Sequence, residues 1–409
     1  MSARAGNSLG IYVSIPFCRS KCTYCNFASG VFPASDHARY VDRVIDDLRS
    51  SAELARQFAV ELPRNVDTVY FGGGTPSLLA PELIAKLFAA MRSEFAFDSD
   101  CEITMECAPG QLPSATIEAM VSAGVNRVSL GVQSFIDREA QVSGRLHSRA
   151  VVLDDIARLR SAGIANINLD LIAGLAGQTL ASWEESLDVL IGAETPHASV
   201  YMLEVDEDSR LGREMLAGGA RYYAELVPND ESIATMYDRA IERLGSAGLM
   251  QYEISNFARP GFESRHNLRY WHRRPYLGVG LDASSALYAA DESENLPPLL
   301  RAKTTDDLKE YLAGPRSSET AWVETAWMAR VQQHEEAWFL GLRLNAGVDI
   351  AEIEREFGPD LVRPACEVAR QLAQDGLLEF DSHHARLTQR GRLMSNDVFQ
   401  EFLAEVAPS

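Results

Sequence analysis

Several features are scarce in this chain of 409 residues, and each scarcity excludes a class of protein. Six cysteines are too few to build a disulfide scaffold at this length. No apolar run approaches the roughly 18 residues of a membrane span, and the polar start of the chain, residues 1–10, lacks the apolar core of a signal peptide. Basic side chains number 38 against 58 acidic ones, and a formal charge of −20 opposes binding to nucleic acid and anionic lipid. We therefore expect a soluble cytoplasmic protein that binds no nucleic acid.

What the sequence does contain is a regular alternation of strand and helix patterns, in a chain that is 46% hydrophobic and long enough for two domains. The strand candidates are short β-branched or aromatic runs at residues 11–15, 68–71, 102–106, 127–132, 166–172 and 198–203. Amphipathic segments lie between them at residues 40–54, 81–91, 114–122, 149–161 and 182–190. This alternation predicts an α/β fold with a parallel sheet. Six units are too few to close an eight-stranded barrel, so we predict a partial (βα)6 barrel that is open on one side for a large ligand.

The remainder of the chain predicts a smaller second domain. A helical pattern at residues 236–244 is followed by a polar stretch at residues 291–298, which ends in two prolines and predicts a linker. We therefore divide the chain into residues 1–290 and residues 291–409. The second part has helical patterns at residues 334–342, 350–357 and 367–372, and short strands at residues 378–380 and 385–387. This order resembles a winged-helix module, and the acidic balance favours a packing or partner-docking role over DNA binding.

Three of the six cysteines, Cys18, Cys22 and Cys25, lie within eight positions after the first strand candidate. Three thiolates on one loop can hold a 4Fe-4S cluster and leave one iron without a protein ligand. A small molecule with an amine and a carboxylate could chelate that iron. Zinc binding and unrelated thiols are alternatives, although zinc sites usually combine two paired units and no second pair follows. The other three cysteines are expected to be buried structural thiols: Cys101, Cys107 and Cys366.

The C-x3-C-x2-C spacing, with the aromatic Tyr24 before the last cysteine, resembles the signature of the radical S-adenosylmethionine (SAM) superfamily. The resemblance implies a 4Fe-4S cluster that donates one electron to bound SAM, whose cleavage releases a 5'-deoxyadenosyl radical. It also implies that the protein supplies positioning and a dry pocket, because the difficult chemistry belongs to the cofactors.

A glycine loop and several polar residues could complete a SAM site. Residues 71–77, FGGGTPS, follow the second strand candidate, where glycines let the backbone approach a ligand and donate N–H groups to it; a simple turn is the alternative. Glu106, Gln133 and Asp170 fall at the carboxyl ends of later strands, the rim at which barrels bind ligands. An acidic side chain there could bind ribose hydroxyls or an ammonium group, and Arg145 could pair with a carboxylate. Taken singly, each is more often an ordinary loop residue, and only their shared position favours a site.

Motifs spread along nearly the whole chain narrow the resemblance. They are residues 12–18 (YVSIPFC), the glycine loop, and residues 131–135 (GVQSF), 144–147 (GRLH) and 252–257 (YEISNF). Together they are similar to the branch of the superfamily that contains coproporphyrinogen dehydrogenases and heme chaperones. Position matching within that branch implies SAM contacts at Tyr12, Tyr24, Gly73, Gly74, Thr75, Glu106, Gln133, Arg145 and Asp170.

Within this branch, two features make the chain more similar to the heme chaperones than to the dehydrogenases. The dehydrogenases typically carry a further cysteine two residues after the third, where this chain has Phe27. They also carry an N-terminal extension of a few dozen residues, whereas the first cluster cysteine here follows only 17 residues. The runs at residues 387–391 and 395–399 are again similar to the chaperones.

A third feature, residues 265–271 (RHNLRYW), matches the HNxxYW element associated with heme binding in the chaperones. The resemblance implies that His266 ligates heme iron and that Tyr270 and Trp271 contact the macrocycle, and imidazole and flat aromatic rings suit those tasks. A hydrogen-bonded structural histidine is the alternative for His266. Ser284 stands where the branch pattern has a histidine, so no second axial ligand is expected there.

The resemblance thus predicts a heme chaperone, rather than an enzyme, that carries a 4Fe-4S cluster and SAM, binds heme and passes it to respiratory hemoproteins. Any membrane contact would be peripheral and would go through those partners. The alternative is an oxygen-independent coproporphyrinogen III dehydrogenase or another porphyrin-modifying radical SAM enzyme.

Overall fold

The computed structural model describes residues 8–290, 298–313 and 321–403. Its strands are β1 (Ser8–Ile15), β2 (Asn65–Gly73), β3 (Ala96–Cys107), β4 (Arg127–Gln133), β5 (Asn166–Ala173), β6 (His197–Met202), β7 (Met250–Gln251), β8 (Asn256–Ala258), β9 (Tyr276–Val279), β10 (Ser284–Tyr288), β11 (Leu299–Lys303), β12 (Glu324–Met328), β13 (Val348–Asp349), β14 (Leu378–Phe380) and β15 (His384–Leu387). Its α-helices are α1 (Ser35–Gln57), α2 (Pro81–Glu94), α3 (Ser114–Ala123), α4 (Asp137–Val142), α5 (Arg149–Ser161), α6 (Leu180–Gly192), α7 (Arg210–Leu216), α8 (Asp230–Ser246), α9 (Arg265–Trp271), α10 (Leu308–Ala313), α11 (Arg330–Arg343), α12 (Ile350–Phe357), α13 (Pro359–Gln374), α14 (Gln389–Leu393) and α15 (Ser395–Gln400). The strands and helices predicted from the sequence all coincide with these elements and are confirmed. Among the described residues, no helix combines the length and the apolarity that a membrane span requires.

Twelve strands form one sheet, in the order β12-β11-β10-β9-β1-β2-β3-β4-β5-β6-β8-β7. Strands β1 to β6 are parallel and lie side by side in chain order, as βα units require. Within the described ranges no pairing joins β12 to β7, so the sheet is open and the predicted partial barrel is confirmed. Strands β7 to β12 were not predicted, because runs of two to five residues are too short to show a periodic pattern.

The two faces of the barrel sheet differ in polarity, because successive side chains of a strand point to opposite sides. In β4, Val128, Leu130 and Val132 are fully buried in the main apolar core. Arg127 and Ser129 alternate with them and face a cavity inside the barrel. The outer face therefore stabilises the fold against the helices, while the inner face is polar and available to a ligand.

The C-terminal part runs in the order α11, β13, α12, α13, β14, β15. Strands β13, β15 and β14 form a separate antiparallel sheet. A second apolar cluster surrounds the fully buried Trp338. A helix, a short strand, two helices and a two-stranded wing make the winged-helix order that the sequence predicts.

Strands that follow residue 290 belong to the barrel sheet. β11 pairs with β10, and β12 pairs with β11, both in antiparallel fashion. Apart from Pro298, the predicted linker at residues 291–298 lies outside the described residues. The division of the chain at residue 290 stays a prediction.

Candidate functional site

A cavity of about 800 Å³ lies within the barrel and extends to the loops that follow the parallel strands. The predicted site residues that line it are Cys18, Cys22, Tyr24, Cys25, Gly73, Gly74, Thr75, Glu106, Arg145 and Asp170. The predicted residues that are not part of the lining are Tyr12, Gln133, His266, Tyr270 and Trp271. The structure therefore gathers most of the predicted cluster and SAM residues around one space and leaves the predicted heme residues outside it.

The cysteine loop is anchored to the chain that surrounds it. The Cys18 amide donates a hydrogen bond of 2.8 Å to the carbonyl oxygen of Gly30, and the Lys21 ammonium donates one of 3.0 Å to the carbonyl oxygen of Phe27. The Thr75 hydroxyl, from the glycine loop, lies 4.0 Å from the Cys18 sulfur. These contacts close the loop on itself and hold it beside the glycine loop.

The three loop cysteines all offer a thiol group to the barrel cavity. All three are free thiols and partly exposed, and burial raises the pKa of the Cys18 thiol. Within the described ranges, no group of three or more His, Cys, Asp or Glu side chains could hold a single metal ion. A cubane cluster binds each thiolate to a different iron, so this donor set suits a cluster better than the four-ligand tetrahedron of structural zinc.

The cysteines outside the loop differ from one another in burial. Cys101 and Cys107 are buried, as the sequence predicts. Cys366 is only partly buried, at the edge of the second apolar cluster. Its position on a surface helix of a small domain leaves one side of the thiol open to solvent.

The glycine loop packs directly against the backbone that leads into the cysteine loop. The Gly74 amide donates a hydrogen bond of 2.8 Å to the carbonyl oxygen of Ile15. A Cβ atom on Gly74 would lie 2.8 Å from the backbone oxygens of Ile15 and Phe17, and Gly73 has a φ of +97°. Both positions therefore favour glycine: Gly73 for its positive φ, and Gly74 for its close approach to the backbone of Ile15 and Phe17. A role for the loop in ligand binding stays a prediction.

Glu106 is a buried carboxyl group on the inner face of the barrel. Its Oε1 atom accepts a hydrogen bond of 2.8 Å from the Tyr70 hydroxyl, and burial raises its pKa to about 7. The Tyr70 ring stacks on Tyr12 with a centroid distance of 6.1 Å. Tyr12 therefore supports the site through Tyr70 rather than by lining the cavity.

The side chains of Arg145 and Gln133 both lie beside Gly131, and each carries a polar atom that has no partner in the described part of the chain. Arg145 donates a hydrogen bond of 3.1 Å to the Tyr24 hydroxyl. Its Nε atom and the Gln133 Oε1 atom are buried and have no hydrogen-bond partner among the described residues. Gln133 also adopts a φ of +68°, which is uncommon and strained for a residue with a side chain. One free donor, one free acceptor and local strain together fit a ligand-binding position.

Asp170 is held on the neighbouring strand by neutral donors. It accepts hydrogen bonds from the Ser129 hydroxyl at 2.9 Å and from the Asn168 side-chain amide at 2.7 Å. Burial raises its pKa. The cavity thus contains two buried carboxyl groups, Glu106 and Asp170, that a cationic ligand would stabilise in the charged form.

His266 lies near the amino ends of the strands, away from the cysteine loop. Its ring is fully buried, with Nδ1 3.0 Å from the Thr68 hydroxyl and Nε2 2.9 Å from the Tyr270 hydroxyl. The carboxylate of Glu102 accepts a hydrogen bond of 3.0 Å from the His266 amide at the start of α9. Both ring nitrogens are occupied, so an iron bond at Nε2 would require the Tyr270 hydroxyl to move away. Heme ligation by His266 stays a prediction.

Trp271 borders a second cavity, of about 370 Å³, between α9 and the C-terminal part. The Arg343 guanidinium lies 4.3 Å from the centre of its ring. Arg343 also lines the large cavity, as does Asn267 of α9. The predicted heme element therefore borders the large cavity through Asn267 directly and through the contact of Trp271 with Arg343. His266 itself does not line that cavity.

Several cavity residues were missed by sequence reasoning. They are Tyr70, Arg127, Ser129, Asn168, Ser199 and Tyr201. The available signal was the alternation of polar and apolar residues in β4, β5 and β6, which identifies the inner face of each strand. Except for Tyr201 near the end of β6, these residues lie in the middle or at the start of their strands, whereas the sequence-predicted polar residues were those at the carboxyl ends.

Comparison with known proteins identifies the family and agrees with the fold. The family model described as Radical SAM superfamily matches residues 12–190, and the HemN C-terminal domain matches residues 330–394. The heme chaperone HemW of Lactococcus lactis is 31% identical over 394 residues, which cover 96% of this chain and 97% of that protein. The heme chaperone HemW of Bacillus subtilis is 32% identical and covers 97% of this chain and 99% of that protein.

A solved structure shows the same fold. The coproporphyrinogen III oxidase HemN of Escherichia coli, a radical SAM enzyme, aligns with a TM-score of 0.81 over 98% of this chain and 91% of that chain, at 23% identity. The predicted superfamily and branch are thus confirmed along the whole length of the chain. By sequence identity and coverage, the chain belongs to the HemW family of the radical SAM superfamily.

Proposed function

We propose that this protein is a heme chaperone of the cytoplasm that carries a 4Fe-4S cluster and SAM, binds heme and delivers it to respiratory hemoproteins. One observation carries the proposal. The three cysteines, the glycine loop and the polar residues Glu106, Arg145 and Asp170 line the same cavity, in a chain of the HemW family.

The cluster would be held by Cys18, Cys22 and Cys25. The SAM residues would be Tyr12, Tyr24, Gly73, Gly74, Thr75, Glu106, Gln133, Arg145 and Asp170. When bound, the cluster supplies one-electron chemistry to SAM. The heme residues would be His266, Tyr270 and Trp271.

The protein's own groups suit the binding of a cationic amino acid derivative. Glu106 and Asp170 offer carboxyl groups for ribose hydroxyls or an ammonium group, and the glycine loop offers backbone N–H groups. Arg145, oriented by Tyr24, offers donors to a carboxylate. The buried walls would exclude water from the ligand.

Phe27 supports the chaperone over the dehydrogenase. It lines the cavity and is 61% exposed, at the position where the dehydrogenases typically carry a cysteine. A phenyl ring there cannot supply a thiol to a substrate in this cavity. The same position is exposed enough to contact a partner protein.

We expect SAM to bind more tightly as the pH rises from about 6 to about 8. Burial raises the pKa of Glu106 to about 7, so its carboxyl group is mostly neutral at the lower pH and mostly charged at the higher one. The carboxylate attracts a cationic ligand and the neutral acid does not, so affinity should increase roughly tenfold across this range. Isothermal titration calorimetry would measure the affinity, together with the release of a proton.

Glu106→Gln is the matched control, because it keeps the shape of the side chain and has no carboxyl group to titrate. The ligand's own amino group loses its proton near pH ~8, and both proteins share that contribution. Identical pH dependence in the wild type and the Gln variant would remove Glu106 from the SAM site.

The function itself is tested on a single anaerobically reconstituted sample with SAM and a reductant. We expect heme to bind at about one per chain and to move to an apo-hemoprotein. We expect no conversion of coproporphyrinogen III to protoporphyrinogen IX, which chromatography of the porphyrins would detect. Product at multiple turnovers would instead identify a dehydrogenase.

A further inference from the structure

Arg127 is a buried cation in the wall of the barrel cavity. It is the first residue of β4, it is 2% exposed, and it lines the cavity together with Ser129 and Asn168. Its Nε atom is buried without a hydrogen-bond partner, and no group in the described ranges hydrogen bonds or ion-pairs with its guanidinium. The side chain therefore presents its N–H donors to the cavity.

A second arginine that is buried to the same extent shows which partners the fold supplies when an arginine has a structural role. Arg269 is also 2% exposed. Its guanidinium forms an ion pair with Asp67 and donates hydrogen bonds to the carbonyl oxygens of Ser8 and Pro275, at 3.1 and 2.9 Å. Among the residues that the structure describes, Arg269 has hydrogen-bonding and ion-pair partners and Arg127 has none.

The two acidic groups of the cavity, Glu106 and Asp170, are not contacting partners of the Arg127 guanidinium. Glu106 is held by the Tyr70 hydroxyl and Asp170 by the Ser129 hydroxyl. Burial raises the pKa of Asp170 and the charge of Arg127 opposes that rise, so the two groups interact at a distance without contact. An arginine stays protonated in proteins, and a buried charge without a contacting partner is costly. Because the folded protein keeps this unpaired charge in spite of its cost in stability, we expect a ligand to pair with it.

We propose that Arg127 binds a carboxylate group of a ligand inside the barrel. A guanidinium offers parallel N–H donors that match the two oxygens of a carboxylate. A group with a single negative charge suits the site better than a phosphate dianion, because Glu106 and Asp170 line the same cavity and would repel the second charge.

The place of Arg127 along β4 favours one source of that carboxylate. Arg127 and Gln133 are the first and last residues of the strand, and at ~3.3 Å per residue they lie about 20 Å apart. The glycine loop, Tyr24 and Arg145 lie at the far end, next to the cysteine loop, where the amine and carboxylate of SAM would reach the open iron. Glu106 and Asp170 lie between the two ends, opposite Ser129 and Gly131 of β4. A propionate of heme then remains for Arg127, an assignment that rests on the proposed function. The carboxylate of SAM is the other source, and the experiment separates the two.

The test titrates reconstituted wild-type protein and Arg127→Gln with heme, with heme dimethyl ester, and with SAM. The ester keeps the macrocycle and the iron but removes the charge of both propionates. We expect the wild type to bind heme about ten to a hundred times more tightly than the ester, because the ester lacks the charge-assisted hydrogen bond to Arg127 and such a bond contributes roughly this factor to affinity. We expect Arg127→Gln to bind heme and ester equally and to keep wild-type affinity for SAM. A loss of SAM affinity by that factor, with heme unaffected, would support the proposal with SAM as the source of the carboxylate.

Thermal melting separates ligand binding from a structural role. Arg127→Gln orphans no protein partner and should melt within a few degrees of the wild type, whereas Arg269→Gln leaves Asp67 without its partner and should melt far lower. Wild-type affinity for both heme and SAM in a stable Arg127→Gln protein would overturn the proposal.

A second variant keeps the proposal testable if Arg127→Gln does not fold. Arg127→Lys keeps the charge and loses the parallel donors. The proposal fails if the wild type binds heme and its ester equally and Arg127→Lys binds SAM as the wild type does. Failure of the proposed function looks different, since the wild type would then bind neither heme nor the ester. In that event the SAM titration alone decides, and unchanged SAM affinity in the Arg127 variants overturns the proposal.

Discussion

Replacing Cys22 by Ala should lower the iron and sulfide of anaerobically reconstituted protein from about four of each per chain to less than about one. The loop offers three thiolates to a cluster, and all three are needed to hold it. Cys18, Cys22 and Cys25 line the same cavity. Two thiolates cannot hold three irons of a cubane against loss to chelators. Colorimetric iron and sulfide analysis, together with the absorption spectrum, would measure the loss.

Cys366→Ala is the matched control for that change. Cys366 is also a partly exposed free thiol, but it belongs to the second apolar cluster and is not part of the cavity lining. We expect this variant to keep the full cluster. A complete cluster in Cys22→Ala, or tightly held zinc in place of iron, would defeat the cluster assignment.

Replacing His266 by Ala should weaken heme binding by a hundredfold or more, on the order of one lost iron–nitrogen bond, while leaving the cluster in place. Burial lowers the pKa of His266 to about 3, so the ring is neutral, which is the form that ligates iron. Loss of the axial nitrogen should also shift the heme absorption spectrum, because apolar contact with Tyr270 and Trp271 is non-directional and cannot replace an iron bond. Absorption titration with heme would record both effects.

His197 provides the control for a structural effect. Its ring is likewise fully buried on the inner side of the barrel, with Nδ1 2.6 Å from Asn168 and Nε2 2.9 Å from the Tyr252 hydroxyl. Each histidine should cost about 1–3 kcal/mol of unfolding free energy on replacement by Ala, since each leaves buried partners unsatisfied. Only His266→Ala should alter the heme spectrum. Equal loss of stability in both variants, with unchanged spectrum and heme affinity, would make His266 a structural residue.

Local patterns were sufficient to predict many of the residues that line the cavity. The spacing of Cys18, Cys22 and Cys25 and the glycines at residues 72–74 are encoded within a few positions of one another. Each motif follows a parallel strand, and parallel strands bring their carboxyl ends to the same edge. The structure places both loops on one cavity.

Pairing between distant segments could not be predicted in this way. β9 pairs with β1 in the register of Tyr276 with Gly10, and the strand is only four residues long. Such a strand carries no periodic pattern of its own and is stabilised by the edge that it joins. The extension of the barrel sheet by β9 to β12 therefore depends on contacts between residues that lie far apart in the chain, and a short stretch of sequence does not show them.

The sequence by itself determined which residue types stand near each other along the chain, and hence the cluster loop, the glycine loop, the βα order and the HNxxYW element. Only the tertiary structure decided which buried polar groups have partners. Arg127 and Arg269 are equally buried arginines, but Arg127 lines the cavity without a hydrogen-bond partner among the described residues, whereas Arg269 forms an ion pair with Asp67. The physical reason is that a hydrogen bond depends on distances of about 3 Å between atoms, and those distances are set by the packing of strands and helices that lie far apart in the chain.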